Sequence, residues 1–427
     1  MGSEKLYRRI RGEVERVAAV DMHEQLAYVP PGARRELDLF QLMGACHMGP
    51  LFERLGVPAD FLTQHEARPA EKWRTVAPLL PLLETTGSYR ALMVAARDLY
   101  GLADPKLDGS NWQGLTETIA ARNREPDWCD RVLFERSNLQ YVFNVTRDFR
   151  HEDPRVAVVP ILTPILLATR ADLWQNQAEQ LGHTIEKLAD AERCLEKFFE
   201  RAEGVGAVGV WVDLSRARTM AVGNPSRAEA SRVFRSRPDR REEADMKAYE
   251  DYVFHRALRL AADNELTVQI HTGIEDLGHD MLGNANPLLL NQIFSQYRHT
   301  RFVIDHAGYP FTGEAISLAR CFANVYVDFV WMPLLSPGVT RRFLDEFLDL
   351  VPASKTMWGG DCEAPEAIYA QAVVTRNIVA EVLAERIERG TLTEETALVV
   401  AARILRDNAL AAHKTDHLQP VETRTEA

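Results

Sequence analysis

Four apolar runs in this chain each stop at a side chain able to bind a metal, and this coincidence constrains the fold more than any other feature of the sequence. RVAAVDMHEQL carries His23 at its end, VQIHTG carries His271, RFVIDHAGYP carries His306 and KTMWGGDCEAP carries Asp361. His271 and His306 are separated by about the length of one strand, loop, helix and return strand. Two imidazoles at equivalent ends of successive parallel strands face the same mouth. The pattern predicts an α/β protein, a (β/α)8 TIM barrel with its site at the C-terminal rim.

Eight segments read as strands: Val17 to His23, Leu139 to Val145, Val156 to Leu162, Ala207 to Leu214, Leu266 to His271, Arg301 to His306, Val325 to Val330 and Lys355 to Asp361. Helical periodicity falls between them over Ala171 to Arg201, Ala244 to Asp263, Pro287 to Tyr297, Gly313 to Cys321 and Thr340 to Leu350. The stretch from Gln25 to Asp130 is too long for a loop and carries helix-like stripes such as GSYRALMVAARDLYG. It is expected to be a helical insertion after the first strand, capping the mouth. The organisation that follows is an N-terminal segment and first strand over 1–24, the insertion over 25–130, the rest of the barrel over 131–412, and a flexible tail over 413–427.

Composition limits what this barrel can serve. The 427 residues are 46% hydrophobic and 26% charged, enough for a large core. A net charge of −12 argues against nucleic acid or an anionic membrane as partner. No signal peptide, myristoylation pattern or uninterrupted apolar span is expected. Five cysteines, widely spaced and without a CxxC pair, read as reduced thiols of a cytoplasmic protein. The expected partner is a small molecule, with room for homo-oligomerisation.

At the rim, Gly273 after His271 and Gly308 after His306 keep the backbone low and let the rings project into the mouth. Gly359 and Gly360 do the same before Asp361. A carboxylate with neutral imidazoles suits Zn²⁺, and also Mn²⁺, Fe²⁺ or Co²⁺. His23 taken alone reads as a buried structural histidine before it reads as a ligand. Asp305 and Asp276 read as supporting or capping groups, Asp276 close enough to the mouth to contact substrate. Tyr309, Trp331 and Met332, just past strand ends, line a pocket or fill the core.

The motifs TGSYRALMVAARDLYG, GAVGVWVDL, IHTGIEDLG, NANPLLL, DHAGYP, NVYVDFVW and MWGGDCEAPE together resemble the amidohydrolase superfamily, in its amidohydrolase-2 branch related to uronate isomerase. The resemblance implies a His-x-His pair closing the first strand, a lysine or glutamate able to bridge two metals on the fourth, single histidines on the fifth and sixth, and an aspartate on the eighth. Residue by residue these become His23, His271, His306 and Asp361.

Two positions depart from that pattern. The second first-strand histidine is Gln25, whose amide oxygen is a poor ligand for Zn²⁺, and the bridging position on the fourth strand is Trp211, which cannot coordinate. The resemblance therefore implies one divalent metal ion, Zn²⁺ ahead of Mn²⁺ or Fe²⁺, held by His23, His271 and Asp361 with Gln25 as a weak fourth ligand. Asp361 is expected to act as general base and His306 to donate to an oxyanion. The expected reaction is hydrolysis of a C–N or C–O bond in a small, polar, carboxylated substrate. Isomerisation or decarboxylation on the same ligands is the alternative, and a metal-free scaffold or binding protein stands outside both.

Overall fold

The computed structural model describes residues 2–26, 35–58, 60–64, 67–149, 153–170, 185–275 and 281–418. Eight parallel strands follow in chain order: β1 (Ala19–Glu24), β2 (Leu139–Thr146), β3 (Val156–Pro160), β4 (Gly209–Val212), β5 (Thr267–Ile270), β6 (Phe302–Ile304), β7 (Val325–Asp328) and β8 (Thr356–Met357). Ladders join β1 through β3 and β4 through β8 in sequential order. The bridge Ile161 to Trp211 and the bonds Leu162 N to Trp211 O at 2.9 Å and Val208 N to Val158 O at 3.1 Å join β3 to β4. On the other side, Met22 donates to the Trp358 carbonyl at 3.3 Å and Asp361 to that of His23 at 2.8 Å, joining β8 to β1. The sheet is a TIM barrel whose strands are apolar because both faces are covered.

Helices Leu188–Gly204, Glu243–Asp263, Thr312–Cys321, Pro337–Leu350 and Pro365–Glu388 alternate with the later strands. The expected helical segment at 171–201 is seen from Leu188 onward, and 171–184 lie outside the described residues. Helix Pro365–Glu388 is long and apolar enough to cross a membrane, but 83% of its apolar window is buried in the protein.

Strands β6 and β8 are shorter than expected because the chain leaves the ladder before the functional residue. Asp305–Gly308 forms a 3₁₀ turn with His306 at φ 60° and Ala307 at φ 53°. Residues from Trp358 onward leave β8 for a turn in which Asp361 has φ 56°. Apolar patterning marks the run but not the place where backbone pairing stops.

Between β1 and β2 the chain forms helices, among them Leu39–Ala45, Pro69–Val76, Gly87–Asp98 and Trp112–Arg122. Stacked indoles of Trp73 and Trp112, 5.2 Å apart, hold two of them together. The buried Glu366, at the start of helix Pro365–Glu388, accepts from Tyr100 Oη at 2.9 Å, Trp128 Nε1 at 3.1 Å and Arg35 Nη1 at 3.2 Å. One carboxylate thus ties three separated points of the 25–130 segment to the barrel. The helical run at its end continues past Asp130 to Arg136.

The expected tail at 413–427 begins as part of the fold. His413 is buried, with ring nitrogens 2.9 Å from the Ala409 carbonyl and 3.0 Å from Gln269 Nε2, and Lys414 N donates to the Val208 carbonyl at 3.0 Å. Its polar composition hid a histidine that reaches a strand side chain. Residues 419–427 lie outside the described residues.

Candidate active site and metal centre

Each functional side chain reaches the mouth through a local backbone device. In β1 the pairing with β2 slips between Asp21 and Glu24, which face Val142 and Asn144, so one extra residue bulges out at the level of His23. After β5, Gly273 at φ 78° leaves no room for a side chain, since a β-carbon would lie 2.0 Å from the Tyr309 carbonyl oxygen. Two strand ends are thereby pressed together, which brings His271 beside His306.

His271 Nδ1 and His306 Nε2 are 3.0 Å apart, and His306 Nδ1 is 3.2 Å from the Val330 carbonyl oxygen. A carbonyl only accepts, so His306 carries its proton on Nδ1, accepts at Nε2 from His271, and leaves His271 Nε2 as a bare acceptor. That atom is buried without a hydrogen-bond partner and lies 4.0 Å from Glu275 Oε1. Asp361 faces this pair, with Oδ1 3.5 Å from His23 Nε2 and Oδ2 3.9 Å from His306 Nε2. Gln25 Nε2 donates to Asp361 Oδ1 at 2.6 Å.

Burial and neighbours set the charges. Burial first, then the nearby His271, lowers the His306 pKa to about 3, so the ring is neutral. Burial opposes ionisation of Asp361, yet His23 above all, with His306 and His47, holds its carboxyl below the usual carboxylate range. For His23 the penalty of burial is outweighed by Asp361, Asp305 and Asp21, and its pKa is raised. Burial pushes Asp305 well above the carboxylate range, Asp328 up to about 7 and Asp21 up to about 6. The site therefore holds an ionised Asp361 among acids that resist ionisation.

The side chains suit one cation better than two. Neither ring nitrogen of His23 has a hydrogen-bond partner, nor does His271 Nε2, and all are buried. A cation displacing the proton of His23 would find one lone pair there and one at His271 Nε2, beside an ionised carboxylate. Two ligands at about 2.1 Å from a tetrahedral ion lie about 3.4 Å apart, close to the 3.5 Å between His23 Nε2 and Asp361 Oδ1. Among the described residues no three His, Cys, Asp or Glu side chains form a closed cluster at metal spacing. Trp211 donates its indole N–H to Asp305 Oδ2 at 2.9 Å, so β4 supplies no bridge for a second ion.

The structure thus brings His23, Gln25, His271, His306 and Asp361 together. Trp331 is buried with its ring 5.7 Å from that of His306, and its indole N–H has no partner. Tyr309 is half-buried just beyond the His306 turn. Asp276 lies outside the described residues. Sequence reasoning missed His47, whose Nε2 is 3.2 Å from the Asp361 carbonyl oxygen, and Glu275, held by Ser215 Oγ at 2.9 Å and Arg216 Nε at 2.8 Å. His47 belongs to the segment between β1 and β2, where no strand pattern pointed to it. Beside it a cleft of about 350 Å³ opens, lined by Ser88, Arg90, Leu335 and Ser336 among others.

A family model described as amidohydrolase matches residues 166–412. The chain is 22% identical over 400 residues to the uronate isomerase of Nostoc punctiforme, covering 85% of this chain and 83% of that one. It is 29% identical over 181 residues to the fluG protein of Emericella nidulans, over 41% of this chain but only 21% of that protein's length. The crystal structure of a uronate isomerase from Thermotoga maritima superposes with a TM-score of 0.80 at 15% identity, covering 96% of this chain and 97% of the other. At that identity the likeness is one of fold.

Proposed function

We propose, from the premise that this chain belongs to the amidohydrolase family, that it is a divalent-cation-dependent enzyme moving a proton on a small, polar, carboxylated substrate. The favoured reaction is an aldose–ketose isomerisation of a sugar acid. The observation that carries the reading is the pairing of an ionised Asp361 with the His271–His306 relay, in which His271 Nε2 is buried without a partner. Support also comes from the uronate isomerase relative, whose match covers 85% of this chain.

His23, His271 and Asp361 would hold the cation, Zn²⁺ ahead of Mn²⁺ or Fe²⁺, with Gln25 beside them, and its chemistry there is polarisation of a substrate carbonyl. Asp361 then does the proton work. It takes the proton from the carbon next to the carbonyl and returns it to the former carbonyl carbon as the hydroxyl proton moves to the other oxygen. His306, neutral and fixed by Val330, keeps His271 in the accepting tautomer. Trp331, whose ring is 5.7 Å from that of His306, Tyr309, just past the His306 turn, and Asp276 are the substrate contacts.

Hydrolysis of a C–N or C–O bond is the second reading, favoured by the family description itself and by the same carboxylate serving as base to water. The five cysteines, all free of disulfides, support a cytoplasmic setting for either reaction. The test is a screen of uronates, then carboxylated amides and lactones, with Zn²⁺ or Mn²⁺ in D₂O, followed by proton NMR. Isomerisation with deuterium entering beside the carbonyl is expected. A new acid formed without exchange on carbon establishes hydrolysis, and inertness towards every substrate with no bound cation points to a scaffold.

A further inference from the structure

Asp361 has φ 56°, a backbone conformation that strains a residue bearing a β-carbon by about 1–3 kcal/mol. His47 and Gln371 bond carbonyls of this turn, and strand β1 takes its amides. Gly360 N donates to Asp21 Oδ1 at 3.1 Å, Asp361 N to the His23 carbonyl at 2.8 Å and Cys362 N to Glu24 Oε2 at 2.6 Å. Gln25 N returns a bond to the Cys362 carbonyl at 3.1 Å. Three successive amides around Asp361 are thus taken by three acceptors of β1, from Asp21, His23 and Glu24.

Residues 21 and 24 of a regular strand point to opposite faces. The extra residue between them restores them to one side, and both carboxyl groups, fully buried, reach the β8 turn. Gly360 is shaped by the same contact, because a β-carbon there would stand 2.0 Å from Glu24 Oε1. Nothing else in the proposed chemistry uses either acid.

We infer that Asp21 and Glu24 are positioning residues that grip the amides on both sides of Asp361 and so aim its carboxylate at His23. The inference rests on the role given to Asp361 in the proposed function, and it makes the bulge of β1 part of the active site. Bonds between neighbours around a ligand are worth about 10- to 100-fold in metal affinity.

The test uses the protein as purified, with two measurements: hydrogen–deuterium exchange of the peptide spanning 358–364, and titration with Mn²⁺. Glu24→Ala is expected to speed exchange at residues 360–362 and weaken Mn²⁺ binding, each by at least about 10-fold, while Glu24→Gln, whose amide oxygen still accepts from Cys362, restores both to within about threefold. Gly360→Ala alone should damage both, and the double variant Gly360→Ala/Glu24→Ala should be no worse than Glu24→Ala, because the collision is gone. Should Glu24→Ala fail to fold, Glu24→Gln and Gly360→Ala carry the comparison. Wild-type exchange in Glu24→Ala or Gly360→Ala, or additive damage in the double variant, overturns the inference. A wild-type protein that binds no Mn²⁺ overturns the cation-dependent reading instead, and the exchange rates then decide the grip by themselves.

Discussion

Gln25 Nε2 lies 2.6 Å from Asp361 Oδ1, so the residue standing where a second first-strand histidine is expected donates to the carboxylate at the end of the eighth. An imidazole at that place would offer a lone pair to a cation. The amide offers a proton to the anion, and holds the carboxylate in position without adding a ligand.

Replacing Gln25 by His should therefore raise Zn²⁺ affinity by about 10-fold or more, as expected for one more good ligand. Isothermal titration checks this, and an unchanged affinity means that a side chain at position 25 does not reach the cation. Turnover need not rise, because the hydrogen bond to Asp361 is lost in the exchange.

Asp361→Asn keeps the shape and removes the base. Turnover should fall at least about 100-fold, with little change in thermal stability, since rim residues contribute less to the core than bottom-face residues. Equal turnover in both proteins would remove Asp361 from the chemistry.

Acid should act through His306. Its pKa is near 3 in the fold and about 6.5 in an unfolded chain, so the unfolded state takes the proton first as pH falls. The stability tied to neutral His306 is complete above pH about 6.5 and is lost progressively towards pH 3, at up to about 1.4 kcal/mol per pH unit. Asp21 and Asp328, whose pKa values are raised, act in the opposite sense, losing their contribution as pH rises through about 6 and 7. Comparison with His306→Asn, which keeps a donor towards Val330, isolates the histidine. Denaturant unfolding between pH 4 and 6.5 should show a smaller pH slope in the variant, and equal slopes would refute the assignment.

Trp211 predicts both stoichiometry and stability. Cation binding should saturate near one equivalent, because β4 carries an indole already bonded to Asp305. Trp211→Phe should lower stability by about 1–3 kcal/mol through the acceptor left unpaired in the core, read from denaturant melts, and tight binding of two equivalents to the wild type would contradict the geometry.

Glu366→Ala removes the acceptor shared by Arg35, Tyr100 and Trp128, leaving a guanidinium and two further donors without it. Loss of one member of a buried ion pair costs about 3–5 kcal/mol. Limited proteolysis should then cut first between residues 25 and 130, and a cleavage pattern like that of the wild type would mean the carboxylate does not anchor this segment.

The sequence by itself determined the eight strands and three of the residues at their ends, because an apolar run closed by a histidine or aspartate and followed or preceded by glycine is written in adjacent positions. His271, His306 and Asp361 were legible for that reason, while His23 and the departures at Gln25 and Trp211 were read from the resemblance of the motifs together. What tertiary structure decided was the partnership of each. The proton on His306 is fixed by the Val330 carbonyl at the end of another strand, the Trp211 indole is taken up by Asp305, and His47 arrives from the segment between β1 and β2. A one-residue bulge turned both Asp21 and Glu24 towards the β8 turn. A hydrogen bond depends on where two distant backbones stop and how they turn, and local patterning carries no record of that.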